Sequence, residues 1–168
     1  FTGTHIGRAV LNNTLIIGDG VGSTRHTTDG TSFTNTTLAP AGEFFEQYQN
    51  RIYIGGTSST LFYSTTNDAT NWNTSGTSDS SSLTIPGAGK INKVYKLADR
   101  LHVSKNAGNI IRWDGFSLVD LATNLGMTSP YSYGTTEDNG FWLNRLGEFN
   151  SNGGASQLIS NAIQRQIY

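Results

Sequence analysis

The sequence predicts an all-β fold assembled from repeated antiparallel sheets. Three observations carry that prediction. Charged residues make up 14% of the 168 residues, against about 25% in an ordinary globular domain. Thr, Ser, Asn and Gly stand where Lys and Glu usually stand, and Thr with the aromatics suits a pleated, half-buried surface better than a helix. The 20 glycines call for many turns. The third observation is an internal repeat.

One pattern returns four times: a turn, a short apolar strand, a polar or glycine bend, a second strand, an acidic or Asn turn, then an apolar residue. The first copy runs Asn13-Thr14-Leu15-Ile16-Ile17-Gly18, then Ser23 to Thr28, then Asp29-Gly30 and Phe33. The second runs Asn50-Arg51-Ile52-Tyr53-Ile54-Gly55, then Thr60 to Ser64, then Asn67-Asp68 and Trp72. The third runs Asp99-Arg100-Leu101-His102-Val103, then Asn109 to Trp113, then Asp114-Gly115 and Phe116. The fourth runs Asn139-Gly140-Phe141-Trp142-Leu143, then Gly147-Glu148-Phe149, then Gly153-Gly154 and Leu158.

Leu15, Ile52, Leu101 and Phe141 are equivalent, spaced by 37, 49 and 40 residues. Flanking strands are expected at 43–48, 93–97 and 117–121. A period of about 40–50 residues with four short strands per unit is the signature of a β-propeller. The expected architecture is therefore β-propeller-like, with about four blades of antiparallel strands. The repeats fall at approximately 6–38, 43–85, 90–121 and 131–168 within a single domain 1–168. A β-sandwich also spaces its strands regularly. It ranks second, because here the units share a motif and not only a spacing.

Four blades are few, and 163–168 reads as a strand in progress, so the chain is expected to be part of a larger propeller. It opens on Phe1 and not Met, which fits a fragment or a processed product. The window 154–166 has a partly helical pattern crowded by Asn and Ser, so a turn or strand is expected there.

Charge and composition narrow the function. A formal net charge of −1 gives no basic face of the kind direct nucleic-acid binding requires. No run approaches about 18 apolar residues, so no membrane-spanning helix is expected. Cysteine is absent, and His5, His26 and His102 lack metal-ligand spacing. Gly18-Asp19-Gly20-Val21-Gly22 precedes a strand rather than a helix, so it reads as a hairpin bend and not a phosphate loop. One acid there is too few for Ca²⁺. Glu137-Asp138 is the adjacent acidic pair and reads as a solvated turn rather than a glycosidase pair. No catalytic residues, cofactor or metal are expected. Lys90, Lys93, Lys96, Arg100, Lys105 and Arg112 cluster in the third unit, several on one face, balanced by Asp99, Asp114 and Asp120.

Two resemblances add to this reading. The turns 27–33 and 64–72 resemble the Asp-box hairpins of sialidase-like propellers. In such a turn Asp or Asn accepts backbone N–H groups, Gly takes positive φ and the aromatic ring plugs the blade. Asp29, Gly30, Phe33, Asn67, Asp68, Trp72, Asp114 and Gly115 are the expected structural turn and plug residues. Such boxes imply blade geometry and not catalysis.

Over residues 45–165 the chain also resembles a module of virion structural proteins of tailed bacteriophages. Gln49-Asn50-Arg51-Ile52, Ser59-Thr60-Leu61-Phe62-Tyr63-Ser64 and Asn67-Asp68 to Trp72 carry the likeness, with Asp99-Arg100-Leu101, Arg112-Trp113-Asp114-Gly115 and Asn144-Arg145-Leu146-Gly147. The resemblance implies a non-enzymatic assembly component of a tail or neck region. Its partners would be other virion proteins or copies of itself. The candidate interface residues are Lys93, Lys96, Arg100, Arg112, Tyr131 and Trp142. The alternative is a glycan-binding or glycan-processing propeller, with Trp72, Tyr131, Tyr133 and Trp142 as exposed aromatic candidates.

Overall fold

The computed structural model describes residues 2–3, 5–106, 108–136 and 138–160. Among them, sixteen strands and no helix form four sheets, each four-stranded and antiparallel in simple up-and-down order. The chain divides into two compact units, residues 1–86 and 87–168, with two sheets in each. The expected strand at 163–168 lies outside the described residues.

The first unit holds β1 (Gly7–Leu11), β2 (Thr14–Gly18), β3 (Arg25–Thr27) and β4 (Thr34–Asn35) in one sheet. Its second sheet is β5 (Phe44–Tyr48), β6 (Arg51–Gly55), β7 (Thr60–Tyr63) and β8 (Ser81–Thr84). The alternation of the strands decides which face is inside. Leu11 and Ile16 from the first sheet meet Phe45, Ile52 and Ile54 from the second, with Ala69 and Trp72 sealing the cluster. Gly7 and Gly18 pair across the ladder. A Cβ on Gly7 would lie 2.0 Å from the Glu43 carbonyl oxygen, and one on Gly18 would lie 2.8 Å from the Phe45 ring. These two glycines set how closely the sheets approach.

The second unit holds β9 (Ile91–Leu97), β10 (Arg100–Lys105), β11 (Ile110–Trp113) and β12 (Leu118–Ala122). Its other sheet is β13 (Tyr133–Thr135), β14 (Gly140–Asn144), β15 (Gly147–Ser151) and β16 (Gln157–Leu158). Tyr95, Leu97 and Ile110 pack with Trp142 and Phe149, and Ala122 and Met127 complete the core. The link between the two sheets is pinned at Met127. The Asn92 carboxamide donates to the Met127 carbonyl at 2.8 Å, and the Ser104 hydroxyl accepts the Met127 N–H at 3.0 Å.

Two-residue hairpins begin three of the four sheets. Asn12-Asn13, Gln49-Asn50 and Ala98-Asp99 all have positive φ, between 45° and 61°. That is the type I′ geometry whose twist matches the flanking strands. Asn tolerates it through local hydrogen bonding, whereas Ala98 has no such compensation. The fourth sheet departs from the pattern. Thr135 pairs with Gly140, so its first hairpin loop has four residues instead of two.

Candidate functional site

The motif residues of the second sheet form one interlocked structure. The Asn67 N–H donates to the Asn50 carbonyl at 2.7 Å. The buried Ser64 hydroxyl accepts from the Ile52 N–H at 3.1 Å and donates to the Thr65 carbonyl at 3.0 Å. The Arg51 guanidinium donates to the carbonyls of Ser64 and Asp79, at 2.9 and 2.7 Å, and lies 5.1 Å from the Tyr63 ring centroid. Asp79 closes the set with an ion pair to Arg51 at 2.6 Å and by accepting from the Thr66 hydroxyl and N–H. Those Thr66 bonds are the main reason its carboxyl is held below the ordinary range, with the Arg51 charge adding to them. The pattern Asn-Arg, Tyr-Ser and Asn-Asp thus spends its polar groups on holding β6, β7 and the approach to β8 together. Asp79 lies in a Ser/Thr-rich loop, where nothing local in the sequence points to Arg51.

The acidic turns are built the same way. Asp29 accepts from the N–H groups of Ser32 and Thr31, both at 2.8 Å, and from the Thr27 hydroxyl at 2.8 Å, which hold it far below the ordinary carboxyl range. Asp114 accepts from the N–H groups of Ser117 and Phe116 and from the Ser117 hydroxyl, and its value falls to about 2. Asp19 goes furthest. Its two oxygens accept four backbone N–H groups, from Gly3, Gly22, Val21 and Thr2, and those of Gly3 and Gly22 hold its carboxyl lowest. Donors crowd this carboxylate, which is the wrong surrounding for a cation. Among the described residues no cluster of three or more His, Asp or Glu could hold a metal ion.

Loop length decides which aromatic reaches the core. Trp72 is buried, and its indole N–H donates to the Ala69 carbonyl at 2.9 Å. The long excursion between β7 and β8 gives it room to fold back. Phe33 is 43% exposed and so does not plug its blade. It sits in the turn before the two-residue β4, and Thr36 takes the buried place beyond, 3.0 Å from His26 Nδ1. Phe116 stands in the short loop between β11 and β12 and is 95% exposed. Asp68 holds Thr70 through its N–H and hydroxyl. Asn67, Gly30 and Gly115 take positive φ, as the turns require.

The candidate interface residues separate. Trp142 is 1% exposed, donates to the Leu125 carbonyl at 2.8 Å and stacks on Phe149. It is a core residue because the alternation of β14 turns it toward β9 and β11. The basic cluster is divided by register. Lys93, Arg100 and Arg112 share one face of their sheet with Tyr95 and His102, whereas Lys96 lies on the other with Lys105. Arg112 is half-buried and donates weakly to the Gly153 carbonyl at 3.4 Å, while Lys105 is fully buried with its ammonium on the Gly87 carbonyl. Lys96, Arg100 and Tyr131 are exposed. Tyr133 is half-buried under Tyr95, 4.2 Å between centroids.

Two features were not legible in advance. His102 is buried and stacks on Tyr95, and its Nδ1 lies 3.2 Å from the Arg100 carbonyl. Burial pushes its value down to about 4; the Arg100 carbonyl opposes this and the Arg112 charge adds to it. In the first unit, a pocket of about 440 Å³ opens beside β7 and β8. Phe62, Tyr63 and Trp72 line it, with Asn73, Ser81 and Ser82 among its polar groups.

No protein-family model matches the chain, and no curated protein matches it in sequence. Among solved structures it is similar in fold to BBS1N, in a crystal structure of BBS1N in complex with ARL6DN. The TM-score is 0.55 at 14% identity, and the match covers 96% of this chain and 53% of that one. BBS1N is a β-propeller. This chain has a β-propeller-like fold. It spans about half the length of the BBS1N chain it matches, and the likeness is one of fold alone.

Proposed function

We propose that the protein is a non-enzymatic assembly component of a bacteriophage particle, in its tail or neck region, acting through protein–protein contacts. The observation that carries the reading is where the motif residues spend their chemistry. Arg51, Ser64, Asp79, Asp29 and Asp114 all bond within their own sheets and turns. The motif that resembles virion modules therefore builds sheets, and recognition falls to the surfaces those sheets present. The perturbed carboxyls point the same way. Asp19, Asp29, Asp79 and Asp114 are all held low, whereas a general acid needs its value raised. The similar propeller BBS1N is itself held in a complex with another protein, ARL6DN, which is in keeping with contact work for this fold. Purified particles probed with an antibody to the chain test the proposal: co-sedimentation with intact particles is expected, and a chain found only in the soluble fraction would refute it.

A second reading rests on the pocket beside β7 and β8. Three aromatic rings with hydroxyl and carboxamide groups suit a sugar ring, whose apolar face stacks while its hydroxyls bond. Titration with a panel of oligosaccharides checks it. Quenching of tryptophan fluorescence that Asn73→Ala with Ser82→Ala abolishes supports a glycan site; no response from any sugar removes it.

A further inference from the structure

The link from β4 to β5 holds a backbone conformation that its residue does not favour. The Ala39 N–H donates to the Thr36 carbonyl at 3.2 Å, which closes a turn over 36–39. Leu38 is the third residue of that turn and has a φ of 62°. A turn with positive φ at its third position favours Gly or Asn. A side chain there crowds its β carbon against the following carbonyl oxygen. The leucine gains little from burial in return, since it is 69% exposed. Neither the turn nor the core of the unit calls for leucine at this position.

Leu38 does line the pocket beside β7 and β8. With Pro40 it adds aliphatic surface to a lining that already holds the rings of Phe62 and Trp72. The polar part of the lining is specific as well. The Asn73 Oδ1 accepts from the Ser75 N–H and hydroxyl, at 3.1 and 2.8 Å, so the Asn73 NH2 is what its carboxamide offers a ligand. Ser82 pairs with Phe62 across the ladder, which sets a hydroxyl beside an aromatic ring. No residue of the lining carries a charge. Arg51, near the ring of Tyr63, is already paired with Asp79.

A ligand that suits this lining has a flat apolar face, an aliphatic group, a carbonyl, an N–H and no net charge. An acidic sugar would leave its carboxylate unpaired. A plain hexose supplies the face and its hydroxyls but no methyl group for Leu38 and Pro40. We infer that the pocket binds an N-acetylated hexosamine. Leu38 and Pro40 receive the acetamido methyl group, the Asn73 NH2 donates to the acetamido carbonyl, and the Ser82 hydroxyl accepts the acetamido N–H. A strained residue kept where the fold does not need it is the kind of outlier that collects at ligand sites. The volume of about 440 Å³ is sufficient, because small-ligand sites begin near roughly 300 Å³. The inference rests on the glycan reading above and names its class of sugar.

Saturation-transfer difference NMR on the whole chain tests it with N-acetylglucosamine and N-acetylgalactosamine, each beside its parent sugar, glucose or galactose. At least one acetylated sugar is expected to bind about tenfold or more tightly than its parent, with the acetyl methyl protons taking up the most saturation. Leu38→Asn should melt no lower than the wild type, because Asn accepts positive φ. The same variant should weaken the acetylated sugar about tenfold and leave the parent sugar unaffected. Equal affinity for acetylated and parent sugars, or a Leu38→Asn variant that binds like the wild type, overturns the inference and leaves a glycan site standing. A clearly lowered melting temperature in that variant shows that the leucine serves the fold and also overturns it. Binding of none of these sugars overturns it too, and the oligosaccharide panel then decides the glycan reading.

Discussion

Mild acid is expected to destabilise the second unit through one residue, His102. The imidazole is 1% exposed, stacked on Tyr95 and near the positive Arg112. Its ordinary value of 6.5 falls to about 4 in the folded chain. The folded form therefore holds the neutral ring, and the unfolded chain takes up the proton first as pH falls. Stability is full above about pH 6.5, declines as pH falls toward 4, and loses nothing more from this residue below that. The whole shift corresponds to about 3 kcal/mol, and about 2 kcal/mol of it is lost between pH 7 and pH 5. The low-lying aspartates act in a separate window. Their contribution is present above their ordinary value and is lost only as pH falls below about 4. Urea unfolding followed by tryptophan fluorescence at pH 7, 6 and 5 measures the slope. His102→Gln is expected to lower stability at pH 7 yet remove most of the pH dependence. A wild-type slope that survives unchanged in His102→Gln would show that another group carries the pH dependence.

Three further outcomes follow from the packing. Trp142→Ala is expected to cost about 3–5 kcal/mol by chemical denaturation, whereas Phe116→Ala should stay within about 0.5 kcal/mol because its ring is in solvent. Arg51→Ala should cost about 2 kcal/mol through its lost bonds to the Ser64 and Asp79 carbonyls, while Asp79→Ala, half-exposed, should cost less than about 1 kcal/mol; equal losses would contradict this division. Ala98→Gly should raise stability by about 0.5–1 kcal/mol, since it relieves the left-handed strain of an exposed hairpin residue. A lowered melting temperature in that variant would show that the strain is not there.

Much of the fold was legible because strand alternation and turn chemistry are local. Leu15, Ile52 and Leu101 anchored the repeat, and each sits in the second strand of its sheet, just after a type I′ hairpin. Phe141 holds the same strand position without that hairpin. Strands with little apolar content were harder to see: Ser81–Thr84 reads as polar filler and is held by the ladder to β7. The sites were less legible, because they depend on distance and on face. Asp79 meets Arg51 across 28 residues of chain. Trp142 looked like a surface ring until the register of β14 turned it inward. The basic residues of the third sheet are close in sequence, but the pleat sends Lys96 and Lys93 to opposite faces. Whether an aromatic plugs a blade turned on loop length, which separates Trp72 from Phe33 and Phe116.

Cryo-electron microscopy of the intact particle is the decisive test of the assembly role. Density for this chain is expected in the tail or neck, with its four antiparallel sheets recognisable and in contact with neighbouring protein. A particle without this chain, or one in which the chain touches no other protein, would contradict the assembly role.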